Sequence, residues 1–418
     1  MIFTDTPDDA ATGQGSPPIA TQWKIALLCA LVALCDGFDT QAIAFVAPVI
    51  SKQWGVAPNQ FGPVFSAGLV GLALGAFFLG SAADRIGRKK IILFCVLLFG
   101  LASILTIKST SMTELAICRI LTGLGLGGVL PNLIAMTNEA AAPRDKNAAV
   151  MMMFCGFPLG ATIGGLISAP LIGAAGWSSV FILGGVAPLC LFPLLAAFLP
   201  GTDPRRPKAA ATSAGQGIGQ LFAEGRAVPT LLLWAAFFSN LLVMYFLVNW
   251  LPLLLGLAGL SLSVSTLSTA VLNLAGVGGA LLLARVTGSR LTLTILMLGY
   301  LAGSGALVMI AGASGSVAVM LGGAAIAGAV VVGGQIAMNA VTASFYPAEV
   351  RSTGVGWALG VGRIGSITGP LVGGSLMKAG WQGTSPVLFA IIPLLVASAA
   401  LLALRTYFPK QTSPGSPG

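Results

Sequence analysis

Ala33-Leu34-Cys35-Asp36-Gly37-Phe38-Asp39-Thr40 places two carboxylates in the middle of an apolar run that extends from Lys24 to Ile50. That run exceeds the about 20 apolar helical residues needed to cross ~30 Å of hydrocarbon. Counted from Lys24 at ~1.5 Å per residue, Asp36 stands about 18 Å and Asp39 about 22 Å along the helix. Their i, i+3 spacing sets both on one face. A carboxylate at that depth costs about 2.5–3.5 kcal/mol to insert, so it needs an interior-facing reason to be there. The stretch predicts a membrane-spanning helix whose two acids belong to a proton and anion site of a transporter.

Composition supports the same class. Of the 418 residues 56% are hydrophobic and only 8% charged, against about 25% charged in soluble domains. A soluble core this apolar would have nothing to put on its surface, so the chain is an integral membrane protein. The 56 glycines fit spanning helices that pack through small side chains. Cys29, Cys35, Cys95, Cys118, Cys155 and Cys190 all fall inside apolar runs without metal-ligand spacing, and they read as small buried hydrophobes. Residues Met1 to Thr21 carry Asp5, Asp8 and Asp9 without a basic region or cleavage site, which reads as a polar cytoplasmic tail and not a signal peptide.

Apolar runs bounded by charge or Pro/Gly clusters predict spans at 24–50, 61–82, 90–108, 113–138, 148–172 and 178–199, then 229–256, 264–285, 291–312, 316–342, 353–376 and 385–406. The expected organisation is a tail (1–22), a six-helix bundle (23–200), a cytoplasmic connection (201–228), a second six-helix bundle (229–407) and a second tail (408–418). With the N-terminus inside, the inner segments hold Lys24, Arg85, Arg88, Lys89, Lys90, Arg144, Lys146, Arg205, Arg206, Lys208, Arg226, Arg285, Arg290, Arg351, Arg405 and Lys410. The outer loops hold Lys52, Lys108 and Lys378 alone. This bias sets both termini in the cytoplasm.

The halves repeat at an offset of 204 residues. Ala175-Gly176-Trp177 returns as Ala379-Gly380-Trp381, Pro48 maps onto Pro252, Pro143 onto Pro347 and Asp36 onto Asn240. Parallel six-span repeats build transporters whose site lies near midplane between the halves. Two further buried charges converge on that layer. Arg119, early in the fourth span, lies ~20 Å from the inner face, and Arg363, twelve residues beyond Arg351, lies ~18 Å up.

The chemistry follows from residue type. An arginine fork suits a carboxylate, while burial and a neighbouring arginine act oppositely on an acid and so can tune it to titrate near working pH. The chain has no histidine, so a proton relay must use Asp36, Asp39 or Glu139, with Tyr245 a more distant candidate. A structural ion pair between Arg119 and one of the acids is the plainer alternative for that acid. Asn240, Tyr245, Asn249 and Trp250 in the seventh span, with Trp357 in the eleventh, are candidates to face a ring-bearing ligand. The glycines and Pro370 around Arg363 suit a moving or locally unwound helix. Gly80-Ser81-Ala82-Ala83-Asp84-Arg85-Ile86-Gly87-Arg88-Lys89-Lys90 joins the second and third spans. There a turn glycine (Gly87) and a basic cluster (Arg85, Arg88) follow an acid, Asp84, that can hold one conformer as a gate. The matching position near Gly288-Ser289-Arg290 has no acid. No phosphate-binding loop and no His or Cys cluster is present, which disfavours an ATP-driven pump; a transporter that is not an enzyme, with no cofactor and no metal, is the expectation.

The Gly80 to Lys90 loop closely resembles the loop between spans two and three of the major facilitator superfamily. Asp36-Gly37-Phe38-Asp39 resembles the paired-acid motif of its aromatic acid:proton symporter family. Arg119 to Asn132, Tyr346 to Gly356 and Gly362-Arg363-Ile364-Gly365 are similar to that family as well, and the resemblance covers residues 22 to 408. It implies an all-α membrane protein of twelve transmembrane helices in two six-helix pseudo-repeats. Family members carry benzoate, hydroxybenzoates, protocatechuate, gallate, hydroxyphenylpropionates or muconate into bacteria with protons. By resemblance Asp36 and Asp39 are needed for transport, Arg119 and Arg363 are candidate contacts for the substrate carboxylate, and Asp84 belongs to the gate. The expected partners are a small aromatic carboxylate, a proton and the lipid bilayer, with no nucleic acid. The expected protein is a monomeric importer in the bacterial inner membrane; the rival readings are a proton-coupled exporter on the same fold and a sensor of aromatic acids.

Overall fold

The computed structural model describes residues 19–142, 144–201, 214–284, 290–313 and 316–407. The two tails, Pro143, the basic residues Arg205, Arg206 and Lys208, and residues 285–289 therefore lie outside the described residues. The rest is helical. The first half holds α1 (Ile19–Trp54), α2 (Phe61–Ile86), α3 (Arg88–Thr106), α4 (Met112–Ala140), α5 (Lys146–Ala175) and α6 (Ser178–Phe198). A short helix, α7 (Ala214–Phe222), sits within the 201–228 connection. The second half holds α8 (Ala227–Leu257), α9 (Leu262–Ala284), α10 (Arg290–Ala311), α11 (Val317–Phe345), α12 (Arg351–Lys378) and α13 (Ser385–Leu404).

Eleven of these helices are long and apolar enough to cross a membrane. The twelfth expected span, α12, has the length, at 28 residues, but Arg351, Arg363 and Lys378 and its many glycines dilute its apolarity. Its place among the spans comes from packing, since α12 lies against α8 and α2. It is also one uninterrupted α-helix, not the unwound element its glycines suggested. Gly362, Gly365, Gly369 and Gly373 face α8: a Cβ on Gly365 would stand 2.2 Å from the Phe238 carbonyl oxygen, and one on Gly369 would stand 2.4 Å from that of Leu242. α11 does depart from α geometry, through a π-turn at Gly328–Val332, and α13 opens with a 3₁₀ segment at Ser385–Ala390.

The repeat seen in the sequence is present in the backbone. Gly176 and Gly380 both take positive φ, 78° and 90°, ending α5 and the turn after α12 in a conformation that suits glycine. Pro48 and Pro252 lie at matching places inside α1 and α8. The cysteines divide: Cys29, Cys35, Cys95 and Cys118 are buried as expected, whereas Cys155 and Cys190 are exposed on the helix surfaces, where lipid can take the place of protein.

The bundle has two ends. Gln22, Asp84 to Arg88, Glu139 to Ala142 and Phe198 share one, through the Gln22–Ala142 hydrogen bond, the Arg88–Glu139 ion pair and Lys24 over the Phe198 ring. We call this the terminal face. Trp54, Asn59, Trp177 and Gly374 mark the opposite turn face.

The halves are joined toward the turn face. Gly62 of α2 packs on the backbone of Pro370 and Gly374, Gly256 on Pro48, and Gly165 of α5 on Thr266 and Ala270 of α9. Ser66 donates to the Ile367 carbonyl at 2.8 Å, and Gln41 and Asn273 exchange two amide hydrogen bonds at 3.1 Å each. Toward the terminal face the first half has its own apolar core of Ile25, Ile92, Phe99, Met136 and Leu195, to which no described residue of the second half contributes.

Candidate functional site

Helix α1 carries both acids into the core. Asp39 is fully buried and Asp36 is 2% exposed. Gly37 between them is required by α5, because a Cβ there would sit 1.9 Å from the Phe157 carbonyl oxygen. The residue between the acids thus lets α1 and α5 touch through backbone, which fixes the direction in which the acids point.

The two acids have different surroundings. Asp39 is caged. Its Oδ2 lies 3.4 Å from Arg119 Nη1, and its Oδ1 accepts from Ser103 Oγ at 2.7 Å. Arg119 Nη2 also donates to Thr106 at 3.3 Å and to Thr122 at 3.1 Å, and the guanidinium stands 4.9 Å from the centre of the Phe181 ring. Four helices, α1, α3, α4 and α6, therefore hold one ion pair. The plainer alternative from the sequence, a structural pair with Arg119, describes what is seen at Asp39. Arg119 Nε is left without a hydrogen-bond partner.

Asp36 has one hydrogen bond, from Thr40 Oγ1 at 3.1 Å. Among the described residues Asp36 makes no ion pair, and the charge of Arg363, on α12 of the other half, acts on it more weakly than that of neighbouring Asp39. Arg363 is half-buried, and among the described residues no ion pair holds it. Asp39 and Arg119, placed near one depth by helical rise, are thus in contact.

Beside the Asp39–Arg119 pair lies a cavity of ≈ 30 Å³, lined among others by Thr40, Phe65, Leu69, Thr122 and Asn249. That is space for a water molecule and too little for an aromatic ring. Across it, Leu69 of α2 meets Leu241 and Tyr245 of α8. Tyr245 is therefore at the seam between the halves, close to the pair.

The other expected site residues are distributed differently. Asn240 is buried and donates to Gln335 Oε1 at 2.8 Å and to the Val331 carbonyl at 3.2 Å. Trp250 is fully buried, donates its indole N–H to the Pro370 carbonyl at 3.0 Å and meets Phe65 edge-on at 5.4 Å. It seals the halves together and has no face left for a ligand. Trp357 is 42% exposed and stacks on Trp234 at 5.9 Å on the outer surface of the bundle, away from the acids. Glu139, expected in the proton relay, lies at the terminal face, 2.9 Å from Arg88, which also stands 3.9 Å from Asp84. It belongs with the Asp84, Arg85, Gly87 and Arg88 turn, where Gly87 at φ 101° reverses the chain between α2 and α3. Sequence reading missed Ser103, Thr106, Gln41, Asn273, Gln335 and Asn339. Their one signal was a hydrogen-bonding side chain inside an apolar run.

Paired acids and arginines within a two-half bundle match a known family. Residues 29–358 fit the family model described as Major Facilitator Superfamily. The chain belongs to the major facilitator superfamily, within its aromatic acid transporter family. The gallate transporter of Pseudomonas putida is 37% identical over 429 residues, covering 96% of this chain and 95% of that protein. The 3-(3-hydroxy-phenyl)propionate transporter of Escherichia coli K12 is 40% identical over 389 residues, covering 91% and 93%. Among solved structures, the D-xylose-proton symporter superposes with a TM-score of 0.77 at 17% identity, covering 92% of this chain and 97% of that one, which supports the fold. This facilitator chain is thus a multi-pass membrane transporter and not an enzyme.

Proposed function

We propose that this transporter imports an aromatic carboxylate across the bacterial inner membrane by proton symport with alternating access. The observation that carries the reading is the unequal pair of acids: Asp39 is locked to Arg119, whereas Asp36 is buried with one hydrogen bond, from Thr40, and neither it nor Arg363 of the other half is held by an ion pair among the described residues. A substrate carboxylate docking on Arg363 draws that positive charge away from Asp36. Losing its counter-charge, Asp36 takes up a proton more readily, so anion and proton load together. Arg119 and Asp39 hold the layer in shape and relay charge to it, with Tyr245 at the ring's edge. The relatives' named substrates, gallate and 3-(3-hydroxy-phenyl)propionate, give the substrate class.

The terminal face is taken as cytoplasmic. Of the described basic residues it holds Lys24, Arg85, Arg88, Lys89, Lys90, Arg144, Lys146, Arg226, Arg290, Arg351 and Arg405, against Lys52, Lys108 and Lys378 on the turn face, as positive charge favours the inside. Both termini are then cytoplasmic. Two bundles, 23–200 and 229–407, work as one monomer joined by the cytoplasmic connection 201–228, and Asp84, Arg88 and Glu139 steady the cytoplasmic gate.

Proteoliposomes with an imposed pH gradient test this with labelled 3-(3-hydroxyphenyl)propionate. Uptake should collapse with a protonophore. Asp36→Asn should lower gradient-driven uptake by about tenfold or more while leaving substrate exchange across the membrane. If Asp36→Asn and Asp39→Asn both leave gradient-driven uptake unchanged, the mechanism is wrong. Accumulation that rises when the gradient is reversed would instead identify an exporter.

A further inference from the structure

Asn240 sits where the second half repeats Asp36, so α8 offers a neutral amide at the place where α1 offers an acid. Both hydrogens of Asn240 Nδ2 are spent, on Gln335 and on the Val331 carbonyl, while its fully buried Oδ1 accepts from nothing. A buried acceptor without a donor is costly and uncommon. Gln335 continues the chain of amides to Asn339 Oδ1 at 3.4 Å, one turn along α11. Asn339 is only half-buried, so the chain leads outward from the core. Val331 belongs to the π-turn of α11, a distortion that recurs at functional sites.

The arginine and the amide stand at one depth. Gly362 of α12 packs on the Leu241 side chain and the Phe237 carbonyl, and Gly365 packs on the Phe238 carbonyl. Arg363 of α12 and Asn240 of α8 are therefore on adjoining helices at the same level. A carboxylate on Arg363 would therefore place an aromatic ring in the layer that also holds Asn240.

We infer that Asn240, with Gln335 and Asn339, forms a subsite that reads a ring hydroxyl of the substrate, the phenol O–H donating to Asn240 Oδ1. The inference rests on the aromatic carboxylate reading above. Neutral amides suit it because they accept from a phenol and donate to its oxygen without adding charge. An acid here, as at Asp36, would repel an anionic ring. A site built around a hydroxyl discriminates strongly against the analogue that lacks it, because its own polar atoms then go unpaired.

Calorimetric binding to the purified, full-length protein tests it with benzoate, 3-hydroxybenzoate and 4-hydroxybenzoate. The wild type should bind one hydroxylated acid about tenfold or more tighter than benzoate. Asn240→Leu and Gln335→Leu should bring that ratio to within about twofold while leaving benzoate affinity in place. The half-buried Asn339→Ala is the variant least exposed to folding defects, and it should lower the ratio in the same direction. A merely structural role would weaken all three acids alike and keep the ratio. Equal wild-type affinity for benzoate and both hydroxylated acids, or a ratio preserved in all the variants, overturns the inference and leaves the aromatic carboxylate reading standing. Absence of binding by any of the acids overturns both.

Discussion

Arg119 and Arg363 are the same residue type at one depth, and their surroundings give them separate tasks. Arg119 is 3% exposed and satisfies Asp39, Thr106 and Thr122 at once, so it is committed before any substrate arrives. Removing one partner of such a pair strands a buried charge, at a cost of about 3–5 kcal/mol. Asp39→Asn is therefore expected to lower the thermal unfolding midpoint in detergent sharply. Asp36→Asn, whose amide oxygen can still accept from Thr40, should shift it little, by about 1 kcal/mol or less. Equal shifts for the two would contradict the unequal roles. Arg119→Lys should fail nearly as badly as Asp39→Asn, since an ammonium cannot reproduce the planar fork that reaches three partners. The sequence made the depth of each charge legible, because helical rise converts position into height. It did not give azimuth. Ser103, Thr106 and Phe181 come to the Asp39–Arg119 pair from other helices, and Trp357, a candidate to face the ligand, turns outward.

At the level of the helices, glycine divides into two kinds that the sequence alone could not separate. Gly37, Gly156 and Gly160 bring α1 and α5 into backbone contact, with a Cβ on each falling 1.9–2.2 Å from a carbonyl oxygen of the facing helix. In α12, by contrast, a Cβ on Gly356 or Gly360 meets nothing within 4 Å. Gly37→Ala must therefore push two helices apart next to both acids, an overpacking cost of about 1–3 kcal/mol. Loss of folded yield and of transport should follow. Gly360→Ala should be neutral or stabilising by up to about 1 kcal/mol, through helix propensity. Size-exclusion profiles and unfolding midpoints of the two variants, measured side by side, check this. Gly360→Ala behaving as badly as Gly37→Ala would show that α12 needs flexibility there. The span boundaries were legible because hydropathy and the flanking charges mark them. The continuity of α12 was not, since glycine spacing reads alike for an unwound helix and for a close seam.

For the whole molecule, the closed turn face and the separate first-half core at the terminal face describe one side of an alternating cycle. Exchange to the other side must break the contacts that hold the turn face. The Gln41–Asn273 amide pair, which links α1 to α9 two residues beyond Asp39, shares the polar part of that seal with the Ser66–Ile367 hydrogen bond. Truncating one amide leaves the other buried without its partner, at about 1–3 kcal/mol. Since 1.4 kcal/mol is a factor of about ten, Gln41→Ala should raise the population with the turn face open by about five- to a hundredfold. Nitroxide labels at the exposed Lys52 and Gln382, on opposite halves of that face, should then report a longer distance. Labels at the exposed Arg85 and Arg351, on opposite halves of the terminal face, should report a shorter one. Both shifts must appear together, because the halves move as packed bodies about a site that stays at mid-depth. A change at one face alone would mean that the amide pair holds only local structure, and that the seal between the halves lies in the apolar Trp250, Phe65 and Leu69 contacts.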